Sequence, residues 1–202
     1  MPRIILSALF LSAVALSSCT AEPKSVLFDQ GHNQAFTIDH EGPLHLGKLA
    51  TTLRASELDV SSTKQGITSE ILQHTDALII SGPFRPYSTA EIKAVKEFLQ
   101  RGGRLAIMLH IAKPMWGLLD ELGVDVANGV VREQYGMLEN KPINFRVTDL
   151  EPHTLTDGLK SFNLYGGWPL RPTAGHTKTI ASSSDNAWVD LNSDTILNRG
   201  DV

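Results

Sequence analysis

Short apolar runs alternate with amphipathic stretches from residue 26 to about residue 122. Val26 to Asp29 reads as a short apolar strand that ends in a loop containing Gln30, Gly31 and His32. Pro43 is placed to open a helix, with Leu46, Leu49 and Leu53 recurring along one side. Leu58 to Thr63 is a second strand. Ala77 to Ile80 is an unbroken apolar run closed by Ser81-Gly82-Pro83, the pattern of a strand buried on both faces. Ser88-Thr89-Ala90-Glu91 is a capping box in which hydroxyl and carboxylate satisfy each other's backbone amides. The helix it starts carries Ile92, Val95 and Leu99 on one face and stops at Gly102-Gly103. Leu105 to Leu109 is the next buried strand, followed by His110.

Strands alternating with helices predict an α/β fold with a parallel sheet and right-handed crossovers. Trp116, Leu119 and Leu122 predict the core face of a short helix. Beyond residue 123 the pattern shortens. Val124 to Val131, Ile143 to Val147, Phe162 to Tyr165 and Thr177 to Ala181 predict a smaller, β-rich C-terminal extension. The domain spans residues 26–202, long enough for one substantial core.

The first residues change the picture. Arg3 precedes an apolar run from Ile4 to Leu16, which suits a signal-peptide core and is short for a membrane span. The run ends Leu16-Ser17-Ser18-Cys19, similar to a bacterial lipobox. This predicts residues 1–18 as a lipoprotein signal peptide and 19–25 as a lipidated tether, with diacylglyceryl and further acyl chains on Cys19. The expected location is the bacterial cell envelope, lipid-anchored, on the outer membrane facing the periplasm if the source is Gram-negative. The expected partners are the membrane itself and an envelope protein or glycan. Net charge is −4 with no Lys/Arg cluster, which argues against a nucleic-acid partner.

Three stretches carry a family resemblance: "VLFDQGHNQAF", "DALIISGPFRPYSTAEIKAVKEFLQRGGRLAIMLH" and "HTLTDGL". Together they resemble the glutamine-amidotransferase-like superfamily, and within it the domain of unknown function 4350, with a more distant likeness to GldG-type accessory domains. The resemblance implies a flavodoxin-like parallel sheet with flanking helices. Members continue past the acidic C-terminal stretch into a further Gly- and Val-rich strand, so a chain that stops at Val202 reads as a fragment or as a shortened gene product whose sheet would lack that strand. Catalytic members place a nucleophilic Cys at a Gly-flanked elbow after a central strand. The matching turn here, His110-Ile111-Ala112-Lys113-Pro114, has neither, and Cys19 is the single cysteine of the chain.

The remaining candidates are Asp29, His32 and His110, at the C-terminal ends of parallel strands, where open α/β sheets bind ligands. They would serve metal-assisted hydrolysis if they converged within about 5 Å of one point; otherwise they tie down their own loops. Asp39, His40 and His45 match no metal motif, and His74, His153 and His176 are scattered. Tyr165-Gly166-Gly167-Trp168-Pro169 reads as a sugar-binding surface or as a packed turn. "DLNSDTILNRGD" places Asp190, Asn192, Asp194, Ile196, Asn198 and Asp201 at the one, three, five, seven, nine and twelve positions of a calcium loop, with Thr195 where such loops prefer Gly. It predicts a structural calcium ion or a solvated Asp/Asn turn. The leading expectation is a lipid-anchored, non-catalytic binding or scaffold domain with calcium; the alternative is the metal-assisted hydrolase.

Overall fold

The computed structural model describes residues 24–199 and 201. Cys19 and the apolar run before it lie outside the described residues. The first half is β1 (Ser25–Asp29), α1 (Gly47–Ala55), β2 (Asp59–Thr63), β3 (Ala77–Ser81), α2 (Thr89–Gln100) and β4 (Arg104–Met108). Its strands form one sheet of order β2-β1-β3-β4, every pair parallel. The expected parallel α/β sheet is therefore present.

Strand alternation builds the two cores. In β1, Val26 and Phe28 face one side and join Ala50 of α1, with Leu46, Leu49 and Leu53 packed around them. Leu27 faces the other side and joins Leu78, Ile80, Val95 and Phe98. Complete burial of a side chain such as Phe98 stabilises the fold by roughly 1.5–3 kcal/mol. The capping box at Ser88 and Glu91 forms with both of its hydrogen bonds. The helix ends where expected: Gly102 takes φ 93°, and a Cβ on Gly103 would stand 2.4 Å from the Phe98 ring.

Helix α1 begins at Gly47 rather than at Pro43. The Leu46 amide donates to Thr37 O at 3.0 Å, so a contact with the preceding loop sets the boundary. After β4 come a 3₁₀ turn (Lys113–Met115) and α3 (Trp116–Glu121). Leu119 is buried and Leu122 packs against the core as expected, joined by Met115 and Leu118, while Trp116 is 46% exposed and does not belong to that face.

The second half is β5 (Val124–Val126), β6 (Val130–Arg132), β7 (Met137–Leu138), β8 (Lys141–Val147), β9 (Asp149–Leu150), β10 (Phe162–Tyr165), β11 (Leu170–Pro172), β12 (Ala181–Ser182) and β13 (Trp188–Asp190). These make small antiparallel sheets: β10-β8-β7, β11-β5, β12-β9 and β13-β6. The single strand expected over Val124 to Val131 is broken in two. A Cβ on Gly129 would meet Asp190 O at 2.7 Å, so the chain passes β13 closely there and changes partner. Of the strand expected at Thr177 to Ala181, only the last residue is in β12. Val131, Phe145 and Val147 form the core of this half.

Candidate functional site

Strand β1 delivers Asp29 to the C-terminal edge of the sheet. Asp29 Oδ1 accepts from the Gly31 amide at 2.9 Å. Asp29 Oδ2 faces His32 Nδ1 at 2.8 Å, accepts from Gln34 Nε2 at 2.7 Å, and accepts the Tyr87 hydroxyl in a short hydrogen bond. The other ring nitrogen, His32 Nε2, lies 3.0 Å from Glu91 Oε1. That carboxylate also accepts from the Ile67 amide at 3.1 Å and, through Oε2, from the Ser88 amide at 2.8 Å. The Tyr87 ring stacks on His32 with centroids 3.9 Å apart.

Each imidazole nitrogen therefore faces a carboxylate oxygen. An imidazolium donating from both nitrogens satisfies both acids, whereas either neutral tautomer turns a lone pair toward one of them. Burial pushes the Tyr87 phenol far above the ordinary tyrosine range, and the Asp29 charge adds to the shift, so Tyr87 stays a donor. Burial also pushes the Glu91 carboxyl up, but the Ser88 hydrogen bonds, the His32 charge and the Ile67 amide outweigh it and hold Glu91 below its usual value.

His32 is completely buried and Asp29 nearly so. Two backbone amides, of Phe84 and Arg85, donate to His32 O, and Arg85 reaches Gly31 O at 2.6 Å. The network ties the loop after β1 to the loop after β3 and to the start of α2. His110 is not bonded to it. Its ring is exposed and rests on Phe36 with centroids 4.9 Å apart, and its carbonyl accepts from Trp168 Nε1 at 3.0 Å. His40 and His45 stack loosely at 5.2 Å. Among the described residues, no group of three or more His, Cys, Asp or Glu is arranged to hold a metal.

The acidic loop is closed on itself. Asp190 is buried, and its Oδ2 pairs with Arg132 Nε at 2.9 Å and accepts from the Thr195 amide at 3.1 Å. Asp194 accepts from the Ile196 amide and from Asn192 and Asn198 side-chain amides. Asp201 accepts from the Leu191 and Asn198 amides. Apart from Asp190 Oδ1, these carboxylate oxygens accept from N–H donors of the protein, and Arg132 pairs with the charge of Asp190. The calcium loop expected over Asp190, Asn192, Asp194, Ile196, Asn198 and Asp201 is thus unsupported. Asp190 Oδ1 is the one buried side-chain polar atom without a hydrogen bond among the described residues.

Sequence reasoning missed Tyr87, Gln34 and the second role of Glu91, because their partners come from distant loops. It also missed a cleft of about 830 Å³ between β4 and the small sheets, lined by Met108, Leu109, Leu164, Trp168, Lys178 and Trp188 among others. Trp168 of the Tyr-Gly-Gly-Trp-Pro stretch is part of that wall.

A parallel α/β sheet with a sealed acid–imidazole–acid network at its C-terminal edge, extended by small antiparallel sheets, defines the class. The chain belongs to the family of the IFT52 GIFT domain, whose model matches residues 25–141. Among solved structures, the mmIFT52 N-terminal domain is similar with a TM-score of 0.68 at 23% identity, covering 80% of this chain and 74% of that one. A GMP synthase subunit from Thermoplasma acidophilum has a TM-score of 0.51 at 13% identity, with coverage of 80% and 74%. Both likenesses concern the fold. No curated protein matches the chain.

The family match corrects several expectations. The family is that of the IFT52 GIFT domain and not the domain of unknown function 4350, and the likeness to amidotransferase-like folds is weak. A bacterial lipoprotein of the cell envelope, anchored by its lipid and facing an envelope protein or glycan, does not agree with a family named for an intraflagellar-transport protein. The metal-assisted hydrolase also fails on geometry, since His110 stands outside the Asp29–His32 network. No helix among the described residues is long and apolar enough to cross a membrane.

Proposed function

We propose that this chain is a non-catalytic protein-binding module that works within an intraflagellar-transport assembly. The observation that carries this reading is the engaged state of Asp29, His32 and Glu91. Every one of these groups is buried or hydrogen-bonded to the protein itself, so none is free to meet a substrate. The turn after β4 supplies no nucleophile in their place. The family match supports the assembly. The strand order β2-β1-β3-β4 supports the finer description of the sheet as flavodoxin-like.

The test mixes the full chain with purified intraflagellar-transport subunits, one at a time, and reads co-elution by size-exclusion chromatography. Co-elution with at least one subunit is expected, and it should survive His32→Gln if that variant is folded by circular dichroism. Co-elution with none would refute the assembly. Turnover of glutamine or of an ester substrate that disappears in His32→Gln would refute the absence of catalysis.

A further inference from the structure

We infer that Asn128 is a self-modifying position. The Gly129 backbone nitrogen displaces its side-chain amide, and water then converts the ring formed to aspartate and isoaspartate. The inference goes beyond the binding-module reading and does not depend on what the chain binds.

Asn128 is the one asparagine of the chain that is followed by glycine. Glycine has no Cβ to screen its nitrogen, and its backbone turns with little steric restriction. The chemistry needs only water. The Gly129 nitrogen gives its proton to hydroxide and attacks Asn128 Cγ. An N–Cγ bond forms, the Cγ–Nδ2 bond breaks, and ammonia leaves with a proton from water. Water then opens the five-membered succinimide. Attack at Cγ gives aspartate, and attack at the main-chain carbonyl carbon gives isoaspartate, whose backbone runs through the former side chain. The net change is one water consumed and one ammonia released.

Both reacting groups are free to move. Asn128 is exposed in the bend between β5 and β6, and no hydrogen bond holds its carboxamide among the described residues. The Gly129 amide has no acceptor there either, whereas Ala127 N donates to Pro169 O at 3.4 Å and Val131 N to Gly167 O at 2.9 Å. Gly129 is buried, and a buried N–H without an acceptor destabilises the closed bend. The flanking strands β5 and β6 are three residues each and pair with three-residue partners, so the segment between them opens at low cost. Other asparagines are better held: the carboxamides of Asn192 and Asn198 are bonded to Asp194.

The structure also sets the consequence. A Cβ on Gly129 would stand 2.7 Å from Asp190 O and from Val189 Cγ1, so the extra backbone atom of isoaspartate has no room. Its formation pushes β6 away from β13.

The test incubates the full chain at physiological temperature and maps its peptides by mass. The peptide containing Asn128 should gain about 1 Da. The rate should rise about 10-fold from about pH 7 to about pH 8, because the attacking nitrogen reacts only after losing its proton. It should lie within about 10-fold of the rate in a free peptide of residues 126–131, since the bend opens at low cost. Asn128→Gln, which would have to close a six-membered ring, should stay unmodified and keep the parent's urea midpoint. The isolated isoaspartate product should show amide exchange at Val131 about 10-fold faster than the parent, while Asn128→Asp, which adds the charge without lengthening the chain, should not. A folded chain whose Asn128 stays intact while the free peptide is consumed would overturn the inference, as would another asparagine reacting first. Unchanged exchange at Val131 in the product would refute the strain at β6.

Discussion

Tyr87→Phe removes one oxygen from the buried network and leaves nearly everything else in place. The phenylalanine ring occupies the same slot and keeps its stack on His32. Asp29 retains the Gly31 amide, His32 Nδ1 and Gln34 Nε2, so no charge is orphaned. What is lost is a charge-assisted hydrogen bond at a residue only 7% exposed. Hydrogen bonds to charged groups contribute about 1.5–3 kcal/mol, so a loss near 2 kcal/mol is expected. With a urea m-value of about 2 kcal/mol/M, the unfolding midpoint falls by roughly 1 M at unchanged slope. Asp29→Ala supplies the contrast. It strips the acceptor from Gly31, His32, Gln34 and Tyr87 together, and at about 1–3 kcal/mol for each unsatisfied donor the loss should exceed about 4 kcal/mol. Urea unfolding followed by circular dichroism and by tryptophan fluorescence measures both. A midpoint shift below about 0.25 M for Tyr87→Phe would mean that the hydroxyl contributes little to stability, and the account of a sealed, mutually satisfied network would be wrong.

Glu91→Gln tests the acid side of the network. The folded carboxyl is held below its ordinary value of 4.5, so the unfolded chain takes up the proton first as pH falls. The stability Glu91 contributes is full above that value and drains away as pH drops through the folded one. Calorimetry from about pH 6 to about pH 2 should show a lower melting temperature for Glu91→Gln at the upper end and a smaller fall toward the lower end; parallel curves would refute the linkage. In the second half, Arg132→Met leaves the buried Asp190 without its cation and should cost about 3 kcal/mol, with part of it recovered in Arg132→Met/Asp190→Leu. A urea midpoint for Arg132→Met within about 0.25 M of the parent would show that Arg132 and Asp190 do not hold β6 to β13.

What could be read from the sequence was local. The capping box needs only residues 88–91, and it formed as the spacing required. The second partner of Glu91 is His32, distant along the chain, and no spacing rule reaches it. The alternation in β1 and the apolar run of β3 placed a buried parallel sheet, because both faces of those strands meet helices. The second half was less legible, since its strands are two to seven residues long and change partners at close approaches such as Gly129. The acidic loop shows the same limit at the level of a single group. Asp and Asn side chains readily accept from backbone amides two residues on. Asp194 does so from Ile196, so a spacing that suits oxygen ligands suits a self-bonded turn equally well.

The grouping of His110 with Asp29 and His32 assumed that every strand end opens on one cleft. Strand order decides otherwise. In β2-β1-β3-β4, strand β3 lies between β1 and β4, which sets those two roughly 10 Å apart. The gap is not empty. Gly82, just past β3, takes φ 51° and comes so near His110 that a Cβ there would stand 2.9 Å from its ring. The loop after β3 therefore walls off the β1 network, and its Phe84 and Arg85 amides close over His32. His110 is left on the far side of that wall, where its carbonyl anchors Trp168 at the head of the β4 cleft. The same strand order that makes the chemistry of Asp29 and His32 inaccessible leaves β4 as the outer strand of the sheet among the described residues.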